Sequence, residues 1–403
     1  MPMLAEVHLV TPNATIGAAP ERGRRLHQLN ITALRCASAF LLLLAAGCQR
    51  EQDTAPYQAA CHGPPLHGAA EFEQAQVDGY QINRRFKCID KASYEAVTAE
   101  KARWDAAHTP QAIAEREAEI AERKAHDDAQ SLAQARSGFT TKISFAGREP
   151  AAPQPPAKIF GKISYPSPAG SLVAYLTPNP GDGQRHPAII WITGGECNSI
   201  GDVWQPGPRD NEQAAAAYRN AGIVMMFPSL RGGNDNPGRE EAFYGEVDDV
   251  LAAHAFLSTQ PHVDPNRIFL GGHSTGGTLV LLTAEFRNPF RAVFAFGPAY
   301  DVGGYGKGIF PIDLGQLDAR ERKLRSPGYW LHTIQGQVFV IEGTDAPSNI
   351  DALDMMKNAP HPASVHFEAV PGASHFSVLA PTNERIAQAI LRDQSAAGAF
   401  EWR

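Results

Sequence analysis

The chain has 403 residues, 43% of them apolar, and a formal net charge of −7. That length carries one large domain and a smaller region, and that apolar share supports a sizeable core. No basic run stands out, which sets nucleic acid aside as a partner, and the mild acidity speaks only to solubility.

Near the N-terminus, Arg22, Arg24 and Arg25 form a basic patch, and an apolar run from Ala37 to Ala46 leads into Gly47-Cys48. A basic region, a short apolar core and a small-residue exit make a secretory signal. The run is shorter than the roughly 20 residues that cross a bilayer. The cysteine directly after Ala46-Gly47 makes this stretch resemble a bacterial lipobox, although Ala45 stands where leucine is more usual. The resemblance implies that residues 1–47 are removed and that Cys48 carries lipid as the mature first residue. The protein would then be exported and membrane-anchored, facing the periplasm or the cell exterior. An ordinary signal peptide cut nearby is the alternative. The stretch before Arg22 is unlike a signal and fits a translation start assigned too far upstream.

Five cysteines bear on export: Cys36, Cys48, Cys61, Cys88 and Cys197. Cys36 leaves with the signal and Cys48 takes lipid, so Cys61 and Cys88 remain as a natural disulfide pair in an oxidising compartment. Cys197 is then single. No Cys/His spacing suggests a metal site.

Residues 48–148 read as a mostly helical N-terminal region. Tyr80–Ile82 and Phe86–Ile89 could be short strands, and from Lys91 to Ala135 the chain is rich in Ala, Glu, Lys and Arg. Thr109-Pro110 splits that stretch into two helices, because Thr caps well and Pro is favoured at the first helical position. The second helix is polar nearly all round, as a solvated helix or a partner surface is. Residues 149–157 are Pro-rich and predict an extended linker.

From Lys158 to Arg403 strands and helices alternate. Lys162–Tyr165 and Leu172–Leu176 predict an opening antiparallel pair. Six apolar runs follow: Ala188–Ile192, Ile223–Phe227, Arg267–Leu270, Ala292–Phe296, Val338–Ile341 and Val365–Val370. Such continuous runs suit strands buried on both faces of a mainly parallel sheet. After the fifth strand comes Gly272-His273-Ser274-Thr275-Gly276, and Thr278–Leu282 opens a helix. A G-x-S-x-G between a strand and a helix is the nucleophile elbow of the α/β-hydrolase fold. The fold class expected is therefore an α/β-hydrolase: eight strands, mainly parallel, flanked by helices.

A serine hydroxyl needs a base within reach, and the base needs an orienting carboxylate; in this fold the chain order is Ser, Asp or Glu, His. His375, in a small-residue loop after the last strand, is the expected base. His273 adjoins Ser274, but neighbours on a sharp elbow point apart. Asp345, in Glu342-Gly343-Thr344-Asp345, is the expected acid, with Glu342 and Asp351 as rivals. Oxyanion donors are expected from the N–H of Thr275 and from the Thr193–Glu196 loop, at Gly195 or Glu196.

The span from Phe227 to Thr283 resembles the catalytic domain of the prolyl oligopeptidase family. The likeness lies in Arg231-Gly232 after a strand and in the acidic helix start Glu246-Val247-Asp248-Asp249. It continues in Val263-Asp264-Pro265 and Gly272–Gly277, and farther on in Arg325-Ser326-Pro327 and the Gly343–Asp345 turn. It implies structural roles for Arg231, Asp248 and Asp249. Thr275 replaces the aromatic residue usual after the serine, Thr193 stands where histidine is common, the acid turn is one residue shorter, and the β-propeller of the peptidases has no counterpart. Tyr300–His332 is insertion-like and aromatic, either roofing the site or packing a crossover.

These readings converge on a serine hydrolase that cleaves peptide, amide or ester bonds through an acyl-enzyme, without metal or cofactor. Its partners would be a small peptide or ester substrate and a lipid anchor. A carboxylesterase of small or carbohydrate esters is one alternative. A surface lipoprotein using an inactive hydrolase fold for binding is another.

Overall fold

The computed structural model describes residues 129–403, apart from 148, 206, 306–307, 395–397 and 403, and a few isolated positions between 106 and 114. The signal, Cys48, and the expected Cys61–Cys88 pair lie outside the described residues. So do the early strands and nearly all of the expected helices before Ala129.

One eight-stranded sheet organises the unit. Its strands are β1 (Gly161–Ser167), β2 (Gly170–Leu176), β3 (His186–Ile192), β4 (Val224–Pro228), β5 (Val263–His273), β6 (Val293–Phe296), β7 (Val338–Asp345) and β8 (Val365–Ser374). The order is β1-β2-β4-β3-β5-β6-β7-β8. β1 and β2 form an antiparallel pair, β2 joins β4 antiparallel, and every other neighbour is parallel. This is the α/β-hydrolase arrangement the sequence predicts.

Alternation along the strands splits the core in two. Ile190, Leu270 and Val340 face one side. There they meet α3 (Glu246–Ser258) and α4 (Thr275–Phe286), which follow α1 (Leu132–Arg136) and α2 (Ala216–Asn220) in the chain. Ile189, Trp191 and Phe269 face the other side, with Tyr218 of α2. The short α5 (Ala319–Lys323) and α6 (Ile350–Asn358) precede α7 (Leu379–Arg392), whose Ile386 and Ile390 complete that second core. The central strands read as unbroken apolar runs because both faces are covered.

The unit begins well before the position expected from the Pro-rich stretch. A compact unit spans Ala125–Arg403. Leu132 is wholly buried, and the guanidinium of Arg136 donates to the carbonyls of Phe243, Tyr244 and Leu324 at 2.8–3.1 Å. Burial lowers the Arg136 pKa to about 10. Arg325 donates to Thr141 and Glu321, and Phe145 bridges Glu240. The expected linker is itself packed: Ala152 is buried, and its carbonyl and that of Pro153 accept bonds from Lys162 and Tyr175. Proline content indicates an extended backbone, and an extended backbone can lie in a groove as well as in solvent.

Candidate active site

Strand β5 runs into α4 through Ser274, whose backbone is at φ 57°, ψ −115°. Positive φ is costly for a residue with a side chain, and such strain persists only where the surroundings enforce it. They do so here by close approach. The Ser274 N–H donates to the Phe296 carbonyl at 2.7 Å. At Gly276 a Cβ would lie 2.3 Å from the carbonyl oxygen of Ile192, so only glycine lets α4 start against β3.

Strands β5 to β8 are parallel, so their C-terminal ends share one edge. At that edge His375 Nδ1 lies 2.9 Å from Glu342 Oε2, with side chains 9% and 1% exposed. The second Glu342 oxygen accepts from the Gly343 N–H at 2.9 Å. The carboxylate can only accept, so His375 donates from Nδ1, and that leaves Nε2 for proton transfer.

Asp345, the acid expected from the sequence, does not face His375. It is exposed, and its carboxylate accepts from the Thr344 hydroxyl at 3.0 Å. The reason lies in β7, which continues past Ile341 to Asp345 and pairs with β8 as far as Ser374. That pairing shifts register between Gly343 and Asp345, and across the irregularity Glu342 is buried while Asp345 is exposed. Asp351 lies in the first turn of α6, also exposed.

Gly297, which sequence reasoning overlooked, makes room for the pair. Its φ is 56°, and a Cβ there would lie 2.4 Å from both Glu342 Oε2 and His375 Cε1. A glycine just after a buried strand was the available signal.

The elbow also holds its neighbours. Thr275 is buried and its hydroxyl donates to the Gly195 carbonyl at 2.8 Å, so the residue that replaces the family's aromatic ties α4 to the loop after β3. As the first residue of α4, Thr275 has an N–H with no intrahelical partner. Glu196 turns its carboxylate to the Ser199 N–H at 2.9 Å, and burial raises its pKa. Cys197 is buried, and burial pushes its thiol well up.

Beyond Gly297 the aromatic segment opens a pocket of about 270 Å³, lined by Tyr300, Asp301, Tyr305, Arg322, Asn349 and Met355 among others. Asn349 donates to the Gly297 carbonyl at 2.9 Å, and Thr278 of α4 accepts from the Ala299 N–H and bonds the Tyr305 hydroxyl. Through Asn349 the pocket is one hydrogen bond from Gly297, the residue packed on the Glu342–His375 pair. Asp301 is held by Arg322, the Gly303 N–H and Tyr329.

Residues 210–344, which include Ser274, match the prolyl oligopeptidase family. That match covers about a third of the chain and marks a resemblance to the catalytic domain of that family. An uncharacterized peptidase of Bacillus subtilis, YtmA, is 28% identical over 115 residues, which cover 28% of this chain and 42% of that protein. A puromycin-hydrolyzing peptidase of Mycobacterium tuberculosis is 20% identical with a TM-score of 0.47, covering 60% of this chain and 41% of that one. An esterase of Pyrobaculum calidifontis is 18% identical with a TM-score of 0.43, covering 59% of this chain and 86% of that one. The chain thus spans less than half the length of the peptidases it matches.

Proposed function

We propose that this domain hydrolyses peptide or closely related acyl bonds, with Ser274 as nucleophile, His375 as base and Glu342 as the carboxylate that orients the base. The observation that carries the reading is the buried Glu342–His375 bond at the sheet edge where the strained Ser274 ends β5. Ser274 Oγ attacks the carbonyl carbon while His375 Nε2 takes its proton. The oxyanion is held by the Thr275 N–H and an N–H of the Gly195–Glu196 pair. The leaving amine or alcohol departs with the proton from His375, and an acyl-enzyme remains. Water activated by His375 then releases the acid and restores Ser274. The pocket of Tyr300, Tyr305 and Met355 receives the apolar part of the acyl group.

Peptides are the favoured substrates on two counts: the family match, and the description of the Bacillus relative as a peptidase. The test is labelling with a fluorophosphonate, followed by peptide mapping. An adduct on Ser274, absent in Ser274→Ala, is expected; folded wild-type protein that stays unlabelled overturns the reading. Aminoacyl-amide and short acyl-ester substrates compared on the same preparation decide between amide and ester preference. We further propose export with lipid on Cys48; the mass of the mature N-terminus would carry an acylated Cys48, and any other first residue rejects the anchor.

A further inference from the structure

His273 and Gln213 have no part in the chemistry above, yet they touch all three of its segments. The His273 ring is wholly buried. Its Nε2 lies 2.9 Å from the carbonyl oxygen of His375, and the two imidazoles stand 4.4 Å apart. A carbonyl can only accept, so the proton is on Nε2 and Nδ1 is an acceptor. Gln213 Nε2 supplies the donor for Nδ1 at 2.8 Å and gives its other hydrogen to Asn211 Oδ1 at 2.9 Å. The Gln213 Oε1, which also lies 3.1 Å from Nδ1, accepts from the Gly194 N–H at 3.4 Å. Every donor in this chain meets an acceptor in one amide orientation and one tautomer. Burial and the neighbouring His375 push the His273 pKa down to about 3, which keeps that tautomer neutral.

The backbone on either side of this chain is closely packed. The Gly194 backbone rests against His273 and Ser274, where a Cβ would meet Nδ1 at 3.1 Å and the Ser274 Cβ at 3.3 Å. The His375 N–H is separately tied to the Pro347 carbonyl at 2.7 Å, so the base residue is held at both backbone ends. Gln213 is anchored in turn, its carbonyl accepting from the Trp191 indole at 3.1 Å.

We infer that Gln213 and His273 form a positioning bridge that fixes the base loop and the oxyanion loop relative to Ser274 as one unit, an inference that rests on the serine-hydrolase reading. The bridge touches no substrate. It acts through His375 and Gly194, so its loss lowers the rate of the chemical step and leaves initial binding intact.

The test uses the fluorophosphonate itself, whose reaction with Ser274 separates into a binding constant and a maximal labelling rate. His273→Phe keeps a ring of similar shape without either bond; Gln213→Met keeps the chain length without the amide. Each is expected to lower the maximal labelling rate by about tenfold or more, the size of effect that small misplacement produces. The binding constant should stay within about twofold. The double variant should be no worse than the poorer single, since both break one chain. Thermal midpoints identify folded samples; should His273→Phe fail to fold, the half-buried Gln213 carries the test through Gln213→Met alone. Unchanged labelling rates, a loss confined to binding, or losses that multiply in the double variant would each overturn the bridge. Wild-type protein that does not label refutes the nucleophile reading instead, so the two failures are distinct.

Discussion

Replacing Glu342 by Gln should nearly silence the enzyme, and replacing Asp345 by Asn should leave it alone. Both Glu342 oxygens accept hydrogen bonds, one from His375 and one from the Gly343 N–H. An amide cannot reproduce this. If its oxygen faces His375, its NH2 opposes the Gly343 N–H; if it is turned round, its NH2 faces Nδ1 and forces the wrong tautomer. The charge matters as well. At 2.9 Å and an effective dielectric of about 20, carboxylate and imidazolium attract by about 6 kcal/mol. At about 1.4 kcal/mol per tenfold in rate, that is roughly four powers of ten. A carboxylate-to-amide change in the Ser-His-Asp arrangement costs on the order of 10⁴ in kcat. The assay is steady-state hydrolysis of an activated acyl ester, with fluorophosphonate labelling as a substrate-independent control. Glu342→Gln should lose about 10³-fold to 10⁴-fold in kcat, and the exposed Asp345→Asn should stay within about twofold. The reverse pattern, with Asp345→Asn inactive and Glu342→Gln active, would refute the assignment.

Three further outcomes follow from other residues. Ser274→Ala and Ser274→Gly should both abolish labelling, but the glycine variant should be more stable by about 1 kcal/mol in denaturant titration, because only glycine relieves the positive φ. Gly297→Ala, whose Cβ would strike Glu342 and His375, should lose about a hundredfold in kcat while keeping its circular dichroism spectrum. Glu285 is buried in α4, and neither carboxylate oxygen has a partner among the described residues. Burial pushes its pKa well above the usual carboxylate range. The folded state therefore holds Glu285 protonated, and stability from this group falls as pH rises from the ordinary carboxylate range toward the raised folded value. Glu285→Gln should remove that slope, so its denaturant midpoint should gain on wild type as pH rises; a constant gap between the two curves would contradict it.

The sheet was readable because its central strands are continuous apolar runs with a glycine-bounded serine at the end of the fifth. Local sequence carries that much: Ser274 must follow a strand and precede a helix, and His375 must follow the last strand. The acid was not readable in the same way. Glu342, Asp345 and Asp351 stand within ten positions, and choosing among them depends on how far β7 runs beyond Ile341, which cross-strand pairing with β8 decides. Gln213 gives no local signal at all, since it sits in irregular chain between β3 and β4 and is defined only by what it reaches. The packed course of residues 149–157 was hidden for a similar reason: prolines fix backbone shape, and the grooves that receive it are made by distant residues.

The buried Arg136 has a consequence for where this protein can be cut. A truncation beginning at Lys158 would remove a guanidinium that satisfies three carbonyls in two separate segments, and with it the Leu132 plug and the Thr141 seat of Arg325. The hydrolase module is therefore not interchangeable at its proline-rich stretch. Any fusion, circular permutation or natural exchange of what precedes it has to join upstream of Leu132, and the residues from there to the first strand travel with the enzyme as part of its body.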